Sequence, residues 1–303
     1  MGLGEGAVAV AAFAGAVGLV GGSIDLGTSV NRRLPFESPG FAAVALVIVV
    51  GLPMAAAAIQ SWRGSTKANL LAMAAGALLV GWIAVEVLII RSFSWLQPTF
   101  LLAGAIFAFV GYRGRHLTWG ATDDEIRARM PGDEIAAPSV FSATRAINID
   151  APPESVWPWL NQIGVGRAGF YSYDFLDNRG LPSSKEVLIG FQNVSPGDLA
   201  APMTIRPTPL TSFTVASVDF ERSLVWSKSD TVWAWKLVPH GHGTRLLVRL
   251  RTGPDWRHPV RSLCSAVLLE VGDFPMMHKM LIGIKDRAES LAAKRERYRK
   301  VSH

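Results

Sequence analysis

Charged residues are almost absent from the first 112 residues of this chain, and this restricts what that part can fold into. The segment holds four acids and five bases, whereas the other 20 acids and 25 bases follow it. Four apolar runs occupy it, at residues 6–24, 40–60, 69–90 and 98–113. A helix needs about 20 apolar residues to cross a bilayer. The sequence therefore predicts an all-α four-helix transmembrane bundle over residues 1–113, followed by a water-soluble part.

The basic residues beside these runs predict the orientation in the membrane. Four lie on one predicted side and three on the other: Arg63, Lys67, Arg113 and Arg115 against Arg32, Arg33 and Arg91. Because Lys and Arg are enriched in cytoplasmic loops, we expect both termini and the C-terminal domain in the cytoplasm of a multi-pass protein. The first run has no basic segment before it, so we expect a retained helix rather than a signal peptide. The abundance of Arg, Ala, Gly and Val is typical of a bacterial cell-membrane protein from a GC-rich genome.

The formal charge of +6 indicates which partners to expect. A basic balance suits nucleic acid or an anionic membrane surface. The basic C-terminal end lacks interleaved aromatic residues, so membrane lipids are the expected partner and nucleic acid is not. Cys264 is the only cysteine, which excludes an intrachain disulfide and a cysteine metal cluster. We expect no metal and no cofactor.

Glu86 stands inside the third apolar run, close to its outer end. A carboxylate at this depth is costly, so it either pairs with another group or has a function. Pairing with Arg91, Arg32 or Arg33 is one interpretation, and a proton or ion role is the other.

Residues 114–140 read as a polar linker, and residues 141–303 as an α+β domain. Alternating apolar residues predict antiparallel strands between residues 142 and 252, with Met203 and Ile205 in one of them. After Pro254 the pattern predicts a short helix over Val260–Val271 and a longer one from Phe274 to Arg297. The expected fold is an antiparallel sheet wrapped around a long C-terminal helix.

Four segments resemble one protein family: RAINIDAPPESVWPWL, GRAGFYSYDFLDN, WAWKLVPHGHGTRLLVRLR and FPMMHKMLIGIKDRAES. Together they make residues 142–297 resemble the SRPBCC superfamily, the START-like helix-grip fold of polyketide cyclases and lipid-transfer domains. The N-terminal part, around GWIAVEVLIIRSFSWLQP, looks like small four-span bacterial membrane proteins. The resemblance implies a cavity between sheet and long helix for a hydrophobic molecule, without naming the molecule.

Within such a fold, Trp226, Trp233 and Trp235 would either stack on a ligand or fill the core. Met277 and Leu281 would face them from the helix. Tyr171, Tyr173 and Asp174 would roof the cavity mouth and bind a polar head group. The alternative for Asp174 is capping of a helix.

Weak candidates for acid–base catalysis are Asp174, Asp273 and Tyr173. Asp273 precedes Phe274-Pro275, which is also a common N-cap arrangement. The sequence contains no nucleophile elbow, P-loop, dinucleotide fingerprint or zinc-protease motif. Three functions therefore remain open. The favoured one is a membrane-tethered module that binds a lipid or other hydrophobic small molecule at the inner leaflet. The alternatives are a cyclase-like or hydratase-like enzyme on a lipophilic substrate, and a membrane sensor or assembly factor with a filled core.

Overall fold

The computed structural model describes residues 1–25, 27–65, 67–91, 94–135, 138–209, 211–229, 231–253 and 259–301. Side chains of residues 29, 89, 90, 259–271 and 301 lie outside this description. The chain divides into two units, Met1–His116 and Leu117–His303. We call them the helical unit and the sheet unit.

The helical unit is built from the apolar runs. Its elements are α1 (Gly2–Val20), α2 (Thr28–Asn31), a 3-10 turn (Pro35–Glu37), α3 (Pro39–Leu46), a π-helical turn (Val47–Gly51), α4 (Leu52–Trp62), α5 (Lys67–Ile90) and α6 (Leu96–Leu117). Within the described ranges, three helices are long and apolar enough to cross a membrane: Gly2–Val20, Pro39–Trp62 and Lys67–Leu88. The fourth run is helical within α6, but its crossing of a membrane stays a prediction.

Proline and glycine shape the packing of these helices. The π-helical turn ends at Gly51, two residues before Pro53, whose ring and missing N–H disturb the turn before it. A Cβ on Gly76 would lie 2.5 Å from the Gly104 carbonyl oxygen, and a Cβ on Gly111 would lie 2.5 Å from the Met73 nitrogen. These glycines therefore allow α5 and α6 to approach backbone to backbone, as small residues do between membrane helices.

In its described residues, the sheet unit has six antiparallel strands and four α-helices. In chain order they are α7 (Asp123–Arg127), β1 (Phe141–Ile149), α8 (Pro153–Asn161), α9 (Asp174–Asp177), a 3-10 turn (Ile189–Phe191), β2 (Leu199–Ala200), β3 (Phe213–Asp219), β4 (Ser223–Lys228), β5 (Thr231–His240), β6 (Gly243–Thr252) and α10 (Pro259–Val301). The strand order is β1-β6-β5-β4-β3-β2. The hairpin predicted at Pro239–Gly243 joins β5 to β6, with His240 opposite Gly243.

The inner face of the sheet carries the main core. Alternate residues of a strand point to one face, so Leu246, Val248 and Leu250 of β6 are buried with the inner residues of its neighbours. Helices α8 and α10 contribute Leu160, Ile284 and others to the same core. A long C-terminal helix thus packs on an antiparallel sheet, which is compatible with the helix-grip arrangement.

The outer face of the sheet is covered by residues 117–135, which we call the connector. Ala121 and Met130 are buried against Val225, Val232 and Leu247 of the sheet. The connector lies largely within the range that the sequence pattern assigns to a polar linker. In the structure it is part of the sheet unit.

Arginines of β6 hold the connector in place. Arg245 forms a bidentate pair with Glu125, with distances of 2.8 and 2.7 Å. This pairing lowers the pKa of the Glu125 carboxyl. Arg249 donates to Asp133 Oδ2, to Thr144 Oγ1 and to connector carbonyls. All the nitrogens of this buried guanidinium are therefore satisfied.

Two sequence-based expectations differ from the structure. Met203 and Ile205 lie in a loop and are half exposed, because Pro202 and Pro207 on either side remove ladder donors. The C-terminal helix is continuous from Pro259 to Val301 and carries Pro275 in its interior, so Asp273 does not cap a helix start. The side chains of Val260–Val271 lie outside the described residues.

Candidate ligand-binding site

Three tryptophans form an aromatic cluster on the inner face of the sheet. Trp226 of β4 lies opposite Trp233 of β5 in the strand register, and Trp235 follows two residues later on the same face. Their ring centroids are 5.2–5.7 Å apart. Their exposed fractions are 1%, 7% and 0%, respectively. The structure therefore brings the three predicted aromatic residues together in the interior.

Helix α10 closes this interior from the opposite side. Met277 and Leu281 are one helical turn apart, so they share a face. Both are buried, and both belong to the same core cluster as the tryptophans and Tyr171. Six of the eight predicted ligand-binding residues thus contribute to one continuous interior.

Four buried indole nitrogens in this core have no hydrogen-bond partner among the described residues. They belong to Trp159 of α8 and to Trp226, Trp233 and Trp235. Indole N–H groups donate and cannot accept. A buried donor left unpaired costs about 1–3 kcal/mol, and native proteins contain few such groups. The interior is therefore lined by apolar side chains but also contains four indole N–H donors without a described partner.

Tyr171 lies at one border of the interior, at the start of the segment predicted to roof it. Its hydroxyl donates to the Trp159 carbonyl oxygen at 3.1 Å, and the Arg287 guanidinium lies over its ring, 4.6 Å from the centroid. Burial raises the pKa of its phenol well above the usual range. Its φ angle of +58° is a left-handed conformation that a non-glycine residue rarely adopts. Tyr171 is held rigidly as a neutral donor.

The roof segment, residues 171–184, is fastened to α10 by hydrogen bonds. Ser172 Oγ donates to the Met276 carbonyl oxygen at 3.0 Å. Arg287 Nε donates to the Ser184 carbonyl oxygen at 2.8 Å. Tyr173, by contrast, is 45% exposed, and Phe175 and Leu176 after it are exposed as well. Tyr171 therefore faces the core, whereas Tyr173 faces solvent.

The two carboxylates of the roof differ in their surroundings. Asp174 accepts from Ser183 twice, from Oγ at 2.5 Å and from the backbone nitrogen at 3.1 Å. Both carboxylate oxygens of Asp177 are buried with no hydrogen-bond partner among the described residues. Burial, and then the nearby Asp174, raise the pKa of Asp177 to about 6. Asp177 is thus the roof carboxyl that can exchange a proton near neutral pH.

Asp273 lies elsewhere, in a buried ion pair. Its Oδ2 atom is 2.5 Å from Arg145 Nη1 of β1, and the two side chains are 7% and 2% exposed. The guanidinium also lies 5.5 Å from the centre of the Phe274 ring. This pair joins the first strand to the C-terminal helix. Its geometry is that of a structural bridge, which weakens the case for Asp273 as a catalytic acid.

Glu86 belongs to the helical unit, on α5. Its Oε1 atom accepts from Gln97 Nε2 at 3.3 Å, whereas Arg91 Nε donates to the Leu88 carbonyl oxygen. The structure therefore gives Glu86 an amide partner on α6.

Sequence reasoning missed several residues of this site. Trp159, Asp177 and Arg287 took no part in the sequence-based site, although Asp177 lies in the same YSYDFLDN segment as Asp174. Arg145 alternates with Ile147 and Ile149 along β1, so it points inward with them. Because a buried arginine is almost always paired, an arginine on an apolar strand face could have predicted a buried acidic partner.

The solved structures that are similar to this chain include the following two. KanY, solved by NMR, is 18% identical with a TM-score of 0.30, and the match covers 49% of this chain and 97% of KanY. The Polyketide_cyc-like protein Cgl2372 from Corynebacterium glutamicum is 16% identical with a TM-score of 0.25, and that match covers 54% and 95% of the two chains. No family model and no curated protein sequence matches the chain significantly.

Proposed function

We propose that this protein is a membrane-anchored binding protein that holds a lipid or other hydrophobic small molecule in the aromatic interior of its sheet unit. The observation that carries the proposal is the set of four buried indole N–H groups that have no hydrogen-bond partner among the described residues. A ligand with an apolar body and one or more carbonyl or ether oxygens would satisfy these donors and match the apolar walls. Hydrogen-bond donors on the ligand itself would not be matched by these indoles, because an indole N–H cannot accept a hydrogen bond.

The roof segment is the proposed entrance. It consists largely of loop and a four-residue helix, α9, and among the described residues Ser172, Ser183 and Ser184 bond it to α10. Exposed Phe175 and Leu176 give its outer surface an apolar character that suits delivery of a ligand from a lipid phase. Lifting this segment would open the interior beside Tyr171 without breaking any strand pairing.

The membrane part of the proposal rests on the apolar helices of the helical unit. Three are long and apolar enough to cross a bilayer, and we propose α6 as the fourth. With both termini in the cytoplasm, the sheet unit would work beside the inner leaflet. A reporter fused after His303 should then be active in its cytoplasmic form, and activity of the periplasmic form alone would reverse the orientation.

The binding test uses the full chain extracted in detergent. Mass spectrometry of copurified small molecules identifies candidate ligands, and an apolar fluorescent ketone serves as the probe. Trp235→Phe and Trp226→Phe keep an aromatic ring but remove the donor, so probe affinity should fall several-fold. Trp157→Phe is the matched control, because Trp157 is buried in the same core but is not among the unpartnered donors.

Failure of this test has a clear form. If the wild type binds no probe at any concentration and Trp235→Ala loses about 3–5 kcal/mol of stability, the aromatic cluster is a packed core. The sheet unit would then be a sensor or assembly module with a filled interior. Close packing of the indoles at 5.2–5.7 Å is the feature that favours this alternative.

The enzyme alternative is favoured by a different observation, the raised pKa of Asp177. A carboxyl with a pKa of about 6 can both accept and donate a proton near neutral pH, as a general acid or base must. In a cyclase-like or hydratase-like reaction, Asp177→Asn would abolish turnover of a bound substrate without changing its affinity. Equal turnover by the variant would remove this candidate.

A further inference from the structure

The helical unit contains an apolar cavity that is separate from the interior of the sheet unit. Its volume is about 460 Å³, within the usual range for small-molecule sites. Helices α1, α3, α5 and α6 line it, through residues such as Ala12, Ala45, Leu79 and Phe100. The small alanine side chains leave the space open.

Glu86 and Gln97 are the polar exceptions in this lining, apart from the Trp82 indole. They lie close together, where α5 ends and α6 begins. Gln97 Nε2 donates to Glu86 Oε1 at 3.3 Å, and Gln97 Oε1 accepts from the Ser94 backbone nitrogen at 3.1 Å. The amide therefore has a fixed orientation, with its N–H₂ group toward the carboxylate.

The carboxylate of Glu86 is left with unused hydrogen-bonding capacity. Two carboxylate oxygens offer about four acceptor positions, and the described residues fill one of them, with a long bond. A carboxylate beside apolar walls is stable only when paired with a donor or a cation. In the described part of the helical unit, no basic side chain forms an ion pair with it.

We propose that this cavity binds an amphiphile with an apolar body and a protonated amine head, with the amine against Glu86. The apolar body would fill the space between α1, α3 and α5. The ammonium group would supply the positive charge and the hydrogen-bond donors that the described residues do not provide to the Glu86 carboxylate. Gln97 positions the carboxylate for this contact by holding one of its oxygens. This site is independent of the ligand proposed for the sheet unit.

The test compares three probes with the same chain: dodecylamine, 1-dodecanol and dodecanoate. Binding is measured at pH 7 on the full chain in lipid nanodiscs, and partitioning into empty nanodiscs is subtracted. The wild type should bind the amine at least about tenfold more tightly than the alcohol, because both can donate to the carboxylate but only the ammonium group adds an opposite charge. Dodecanoate should bind most weakly.

Two variants and a control connect this preference to the cavity. Glu86→Gln keeps the size of the side chain and should abolish the preference for the amine over the alcohol. Ala45→Phe fills the space and should weaken both probes. Glu5→Gln is the matched control: Glu5 is also a buried acid of the helical unit, bonded to Ser61, but it does not line the cavity. It should leave the preference unchanged.

Four outcomes would overturn the proposal. They are equal affinity of the wild type for amine and alcohol, preference for dodecanoate, an amine preference that survives Glu86→Gln, and unchanged binding in Ala45→Phe. Equal affinity for all three probes would mean that lipid acyl chains fill the cavity. Loss of probe binding in the sheet unit would leave these measurements unaffected, so the two proposals fail separately.

Discussion

The ion pair between Arg145 and Asp273 makes a quantitative prediction about the stability of the sheet unit. Replacing Asp273 by Asn removes the negative charge that lies 2.5 Å from the Arg145 guanidinium, which is 2% exposed. Breaking a buried pair from one side costs about 3–5 kcal/mol. In a unit of this size, each kcal/mol corresponds to roughly 2–4 °C in Tm. Asp273→Asn should therefore lower the Tm of the sheet unit by about 6–20 °C.

Intrinsic tryptophan fluorescence of the full chain in detergent is the appropriate assay. Five of the ten tryptophans are buried in the sheet unit, so the red shift on unfolding reports chiefly on this unit. A double variant, Arg145→Met with Asp273→Leu, separates charge burial from general damage. Because an apolar pair of similar volume is often as stable as a buried ion pair, the double variant should recover most of the lost stability.

Two results would refute this reasoning. The first is a loss below about 1 kcal/mol in Asp273→Asn, since a solvated pair contributes that little. The second is a double variant no more stable than either single variant, which would mean that the side chains contribute through shape and not through charge.

Three further predictions concern the roof and the connector. Asp177→Asn should stabilise the fold by about 1 kcal/mol at pH 8 and have little effect at pH 4. The folded-state pKa of about 6 lies above the ordinary aspartate pKa of 3.8, so ionisation of Asp177 disfavours folding as the pH rises. Equal thermal shifts at both pH values would contradict this. Gly120→Ala should lower the free energy of unfolding in urea by more than about 2 kcal/mol, because the φ angle of Gly120 is +71° and a Cβ would lie 2.0 Å from the Ala146 carbonyl oxygen. Gly180→Ala is the comparison: its φ angle is +78° but its Cβ would meet open space, so only the backbone strain should lower its stability. Arg249→Met should release the connector, which faster hydrogen exchange in residues 117–135 would detect; unchanged protection would show that apolar contacts alone hold it.

The sequence predicts those parts of the fold in which periodicity is long and regular. The apolar runs of the helical unit, strands β5 and β6, and the inward face of Trp233 and Trp235 follow directly from hydropathy and alternation. Here burial and local preference agree, so no tertiary information is needed.

Other parts depend on contacts that sequence patterns do not contain. Pro275 favours a helix break by about 3 kcal/mol, yet α10 continues through it, because Met277, Leu281 and Ile284 are buried against the sheet. The two-residue alternation at Met203 and Ile205 is too short to define a strand between prolines. The connector reads as a solvated linker because its sequence shows the acids Glu125 and Asp133 but not their partners, which are arginines more than 100 positions away.

The candidate site was predictable in its apolar part and not in its polar part. Aromatic residues on one strand face must point the same way, so the tryptophan cluster is a geometric consequence of the sheet. The raised pKa of Asp177 arises from burial and from Asp174, and neither follows from composition. The identity of the Glu86 partner likewise depends on which turn of α6 lies beside it.

The separation between bonded partners has a consequence for how the chain matures during synthesis. The connector and β1 leave the ribosome first, yet β1 pairs with β6 and the connector binds the arginines of that last strand. Arg145 must wait for Asp273, 128 positions later. Contacts this distant along a chain form slowly. The sheet unit therefore completes its fold only after nearly all of it has been translated, and until then the apolar face of β1 lacks the strand and the helix that cover it in the finished fold.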